Sequence, residues 1–395
     1  MLPELWILGA ASLLLPVGFA LFQSGICRAK NAASSIFRGI AQICVGILAF
    51  WAFGAALLTG LRGALLDNGG ILNASALFPI AIVLMAAGIL SGATLERSRA
   101  AVCFTSTILM AGIVTPLCWH LARSSWLRQL GFTDFAGASY VHFSAGLAAM
   151  IGALMVGPRS GKYNRDGSSN VLVGHSVPLA SAGLLVIVIG WIPSIAAAAL
   201  TMPTATWDSL NKGLVNSVIG GAAAAVATML YTRLRQDKYD IFQMYAGIMG
   251  GLVATTAGGD RMASPWALFS GAAAGLIVPI CSSWIDMRLK IDDPATSITS
   301  HGVAGIWAML AGALFTGGTL AEHGHRLGAA GVGLAAIAAL TTALVLTTFL
   351  LLRMTVGVRS TELEEMDGLD LVEHDLNAYP DFQQTTIKSY HLREI

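Results

Sequence analysis

Long apolar runs separated by short polar breaks dominate the chain. A helix needs about 20 mostly apolar residues to cross a bilayer. Eleven stretches meet that length, at roughly 5–26, 36–60, 77–95, 100–120, 137–157, 176–200, 209–232, 241–259, 266–286, 298–317 and 327–352. The first reads as a span rather than a cleavable leader, because it lacks a basic start, contains Pro16 and exceeds the length of a leader core. The pattern predicts an all-α polytopic membrane protein with eleven transmembrane helices. Gly271 and Gly275 form a GxxxG pair, and residues 220–225 are almost all small. Such residues let helix backbones approach closely, and tight bundle packing accounts for them.

Composition narrows the class. Charged residues make up 11% of the 395 residues, against about 25% in soluble chains. A disordered chain is excluded by the apolar content, and a nucleic-acid partner by a net charge of +1. The cysteines Cys27, Cys44, Cys103, Cys118 and Cys281 are scattered and odd in number, so they read as small packed hydrophobes, not a disulfide framework.

The basic residues orient the chain. With the N-terminus outside, the cytoplasmic loops hold Arg28, Lys30, Arg38, Arg97, Arg99, Arg159, Lys162, Arg165, Arg233, Arg235, Lys238, Arg288 and Lys290. The outer loops hold only Arg62, Arg123, Arg128, Lys212, Arg261 and Arg326. The expected location is a cell membrane, inner in a double-membraned cell, with the C-terminus cytoplasmic. Charge rises sharply after residue 356, with Glu362, Glu364, Glu365, Asp367, Asp370, Glu373 and Asp375 close together. Residues 1–356 thus read as the membrane domain. Residues 357–395 read as a cytoplasmic tail, or a linker to an output domain outside this sequence.

Two segments share a spacing. In DFAGASYVHFSAG, Asp134 is followed by His142 and Gly146; in DPATSITSHGVAG, Asp293 is followed by His301 and Gly305. The first enters span five from outside and the second enters span ten from inside. One pattern crossing in opposite directions predicts two inverted five-helix repeats plus an eleventh helix. Each Asp stands at a helix start, where a carboxylate caps backbone N–H groups, and Asp134 is also placed to shape an outer cation site. The histidines lie about two turns into their spans. Ionisable groups at that depth usually face a pathway or the bundle interior. Two neutral imidazoles can share one proton, which suits a small hydrogen-bonding solute or a proton relay better than a metal. His323 and His325 lack an evident third metal ligand, so neither metal nor cofactor is expected. No nucleophile stands with a convincing base, which argues against an intramembrane enzyme.

Several stretches resemble the Amt/Rh ammonium transporter family: PVGFALFQSGICRAKN, GATLER, DFAGASYVHFSAG, IGW, DDPATSITSHGVAG and EEMDGLDLVEHDLNAY, covering about residues 15–379. The resemblance implies a homotrimer in the lipid bilayer with a pore through each subunit. It implies that His142 and His301 are the pore histidine pair and Trp191 the pore Trp of span six. It implies further that Asp134, with Ser139 as hydroxyl partner, underlies the outer cation site. Ammonium would be recruited outside, dehydrated, and split into ammonia and a proton that pass separately.

The chain departs from that family at four positions. The two Phe gates fall at Ile82 and Ser194, the recruiting Trp at Ala122 and its Ser partner at Ala198. A cation over an aromatic face gains about 0.5–2 kcal/mol, so the lost rings leave a gap that Trp119, Trp126, Phe78 or His120 could fill. Pro79 and Pro193, beside the lost gates, suggest helix distortion at that level. The tail continues past Tyr379, resembling members fused to signalling domains. The favoured reading is an ammonium sensor relaying occupancy through its C-terminal tail to a cytoplasmic signalling domain or partner; the other is a transporter with an altered vestibule.

Overall fold

The computed structural model describes residues 3–61, 74–203 and 206–380. Among these, nine helices are long and apolar enough to cross a membrane: Glu4–Ile26, Ala29–Leu58, Ala74–Ala93, Ala100–Gln129, Ala138–Val156, Val177–Leu200, Trp207–Gln236, Ser264–Leu289 and Leu320–Thr355. Two shorter apolar helices, Ile241–Val253 and Ile298–Leu314, occupy the eighth and tenth places. The chain is a polytopic helical membrane protein, and these helices are called spans one to eleven in chain order.

The same pairings recur in the two halves. Span two packs on span four and span seven on span nine; span three packs on span five and span eight on span ten. Spans one and six cross at the centre, as do spans five and ten. Spans seven and nine touch backbone to backbone. A Cβ on Gly271 would lie 2.2 Å from the Gly220 carbonyl oxygen, and one on Gly275 would lie 2.4 Å from that of Ala224. The small-residue runs therefore work as packing surfaces.

Span eight ends at Val253, short of the expected 259. The chain beyond it turns, and the Thr256 and Ala257 carbonyls accept hydrogen bonds from Ala136 (2.7 Å) and Phe135 (3.2 Å). Irregular backbone is tolerated at membrane depth only where protein covers and satisfies it. Span eleven starts earlier than expected, at Leu320, because Thr319 and Glu322 form a reciprocal capping box. Its 36 residues reach about 54 Å, longer than a hydrocarbon core of about 30 Å.

The prolines do not break their helices. Pro79 lies in the first turn of Leu77–Ala93, where its missing N–H costs nothing. Pro193 sits within a helix that runs unbroken from Val177 to Leu200. Distortion appears instead as π-helical turns, among them Ala138–Phe143 and Ile298–Val303, which hold His142 and His301. π-Turns inside α-helices are frequent at functional sites.

After Thr355 the chain folds back along one face of the bundle, here termed the tail face, as the short helices Glu362–Asp367 and Leu369–His374. The stretch 381–395, which contains most of the tail's continuation past Tyr379, lies outside the described residues.

Candidate functional site

The two π-turns bring the histidines together at the crossing of spans five and ten. Their Nδ1 atoms lie 3.2 Å apart, and the rings are stacked with centroids 5.3 Å apart and a 17° angle between planes. Both residues are 1% exposed. One Nδ1 must donate and the other accept, so the contact holds a single shared proton and leaves each Nε2 outside it. The close approach has a backbone cause: a Cβ on Gly146 would meet the Gly302 nitrogen at 2.2 Å. The His142 ring also stacks on Trp191, with centroids 5.3 Å apart. The Trp191 indole is held by an N–H bond to the Ser217 hydroxyl at 2.9 Å.

On the side away from the tail, His142 and Trp191 line a small cavity of about 10 Å³ with Ile82, Ser194 and Ala198. That space suits about one water-sized solute. Three of the positions expected to be altered, Ile82, Ser194 and Ala198, thus converge on the histidine site. Ser194 turns its hydroxyl to the Trp191 carbonyl at 2.7 Å. Ala122 stands apart from this cavity; it is buried one turn beyond Trp119.

Farther out lies a cavity of about 280 Å³ lined by Phe78, Trp119, His120, Arg123 and Thr201 among others. Of the four residues expected to replace the missing aromatics and Ser, Phe78, Trp119 and His120 reach it. Trp126 does not line it and is 44% exposed.

Asp134 spends both oxygens on the start of span five. They accept from the backbone N–H groups of Gly137 (2.9 Å), Ala138 (2.9 Å) and Ser139 (2.8 Å), and from the Ser139 hydroxyl (2.5 Å). Asp134 and Ser139 are therefore neighbours as expected, in a cap that fixes where His142 stands.

Asp293 caps span ten more lightly. One oxygen accepts from Ile298 N–H at 2.7 Å, and its Oδ1 is buried without a partner among the described residues. Burial, stronger than its backbone hydrogen bonds, pushes the Asp293 carboxyl up to about 6. For Asp292, burial pulls upward, but the hydrogen bonds and charge of Arg159 outweigh it and hold the group at about 2. Arg159 grips Asp292 through Nε (2.8 Å) and Nη2 (3.0 Å) and reaches Glu96 through Nη1 (2.5 Å). Arg97, fully buried, donates to the carbonyls of Asp292, Ala93, Leu95 and Gly157.

This cluster continues into the tail. Glu365 accepts from Ser160 and pairs with Arg359 at 2.6 Å. Asp370 accepts from the N–H groups of Ala33 and Ser34 at the start of span two, and Glu373 pairs with Arg38 at 2.5 Å. The His175 Nε2 and the Tyr379 hydroxyl lie 2.8 Å apart. Sequence reasoning counted these basic residues only as orientation signals. Full burial of Arg97 and near-burial of Arg159 show them as structural hubs.

A family model described as the Ammonium Transporter Family matches residues 5–379. The chain belongs to the ammonium transporter family. Its relatives include ammonium transporter Amt1 of Haloferax mediterranei, 32% identical over 95% of this chain and 79% of that protein. Ammonium transporter Amt2 of Archaeoglobus fulgidus is 29% identical over 95% and 87%. Among solved structures, one described as a sensor Amt protein superposes with a TM-score of 0.87 at 29% identity, covering 94% of this chain and 97% of that one. Candida albicans Mep2 shares the fold, with a TM-score of 0.80 at 21% identity. As a member of the ammonium transporter family, the protein belongs with membrane transporters and channels rather than enzymes. Among the described residues no group of three or more His, Cys, Asp or Glu is arranged to hold a metal ion.

Proposed function

We propose that this protein is an ammonium sensor: ammonium binds from the outer side at the His142–His301 site, and occupancy is relayed to the cytoplasmic tail. In this reading the N-terminus is outside, the tail face is cytoplasmic, and the protein works as a homotrimer. Residues 1–356 are the sensing module and residues 357–395 the output connection. Trp191 stacks on the His pair, Asp134 and Ser139 set its depth, and Ile82, Ala122, Ser194 and Ala198 mark the altered entry.

The observation that carries this reading is the continuous contact route from the His pair to the tail. His301 lies in the turn capped by Asp293; adjacent Asp292 is held by Arg159, whose neighbour Ser160 is held by Glu365 of the tail. Contiguity becomes coupling only if ammonium binds two states of this network with different affinity. The likeness to a sensor Amt protein supports the same reading, as does the single-solute cavity above the histidines.

The alternative reading is a transporter that moves ammonium as ammonia plus a proton along the His pair. The names of the archaeal relatives and the intact imidazole pair favour it. Proteoliposomes separate the two. The sensor reading expects no ammonium-driven current above protein-free liposomes; a robust, saturable current would overturn it.

A further inference from the structure

The outer cavity already contains a cation. The Arg123 guanidinium carbon sits 5.2 Å from the centroid of the Trp119 ring. Trp119 stacks on Tyr140, with centroids 5.0 Å apart, and meets Phe78 edge-on at 5.8 Å. The Tyr140 hydroxyl lies beside the same guanidinium. Phe78 and Trp119 line the cavity and Tyr140 backs Trp119, beside the position, Ala122, where the family resemblance expects a recruiting Trp.

Arg123 is held loosely for a partly buried arginine. Its polar partners are two hydroxyls, that of Thr201, 3.3 Å from Nη2, and that of Tyr140, and its Nε is buried with no partner. No described carboxylate pairs with it. Arg97 donates to four backbone carbonyls and Arg159 binds two carboxylates. A buried donor left unmade is costly, so Arg123 is not anchored as those structural arginines are. A guanidinium over an aromatic face takes the electrostatic place that an ammonium ion would take.

We propose that Phe78, Trp119 and Tyr140 form the cation-recruiting cage of this protein, and that Arg123 is a tethered cation that occupies it until ammonium displaces it. The inference rests on ammonium being the ligand, which the sensor and transporter readings share, and not on whether the protein conducts. Like charge then sets the threshold: ammonium must reach a concentration at which it outcompetes a side chain that never leaves the site.

The test is titration of ammonium chloride, against a sodium chloride control, into the intact protein in lipid nanodiscs. Arg123→Gln is expected to bind ammonium roughly tenfold more tightly, the scale of one cation–π contact. Thr201→Val, which removes only one of the two hydroxyl partners, gives a smaller gain in the same direction and carries the test if Arg123→Gln does not fold. Adding Trp119→Leu to Arg123→Gln abolishes the gain. Unchanged or weaker binding by folded Arg123→Gln would overturn the proposal, as would a gain that survives Trp119→Leu. The proteoliposome current reads the sensor question separately, so either idea can fail alone.

Discussion

The two Asp-to-His segments share a backbone but differ in wiring. Both run from a capping Asp through a π-turn to a buried His, and the two imidazoles meet as near equals. Asp134 satisfies four donors and ends there. Asp293 satisfies one strong donor, keeps an orphan oxygen, and stands beside the Asp292–Arg159–Glu96 ladder that leads to the tail. The repeat supplies symmetric geometry for the histidines. The asymmetry of the flanking charges ties one histidine, His301, to the tail.

The largest way to break this contrast is Arg159→Ala. It strands the buried carboxylates of Asp292 and Glu96, and removing one partner of a buried ion pair costs about 3–5 kcal/mol. Thermal unfolding in detergent should show that loss, whereas Arg128→Ala, an exposed charge on the opposite side, stays within about 0.5 kcal/mol.

The caps should separate next. Asp134→Ala removes four hydrogen bonds and is expected to cost about 2 kcal/mol, at the upper end for an N-cap; Asp293→Ala should cost about half that. Equal costs in the same unfolding assay would erase the distinction drawn between the two segments.

Packing at the crossing is also unequal. A Cβ at Gly146 meets backbone at 2.2 Å, but one at Gly302 meets its nearest atom at 3.2 Å. Gly146→Ala should therefore cost about 1–3 kcal/mol through overpacking, with Gly302→Ala clearly milder.

The smallest effect is a pH signature. Asp293 has a folded pKa of about 6, above the ordinary carboxylate value of 3.8, so its ionisation penalises the fold at neutral pH. That penalty fades as pH falls through 6 toward 4, and the part recovered between pH 7 and 5 is about 1 kcal/mol. Asp292 acts oppositely: held at about 2, it stabilises above 3.8 and loses that contribution only as pH falls from there toward 2. Between pH 7 and 5 the wild type should gain stability that Asp293→Asn lacks.

Much of this was legible in the sequence. The apolar runs located all eleven helical segments, since hydrophobic length is a local property. The Asp-to-His spacing led to the histidine pair because a repeat places equivalent residues near its axis. Span eight came out too long because its end unwinds to satisfy Phe135 and Ala136, a demand made by a distant segment. Proline suggested distortion at the lost gates, but the structure puts it in π-turns at the histidines, where no composition signal marks it. Arg97, Arg159 and Arg123 looked alike as loop cations. Burial and partners alone separate two structural hubs from a loosely held occupant.

The central claim is that occupancy at the histidine site reaches the tail. Hydrogen–deuterium exchange of the intact protein, with and without saturating ammonium, tests it at residues 362–374. The account predicts an ammonium-dependent change in protection there that disappears in His142→Ala. Identical exchange across that segment with and without ammonium, in a protein shown to bind it, would contradict the account.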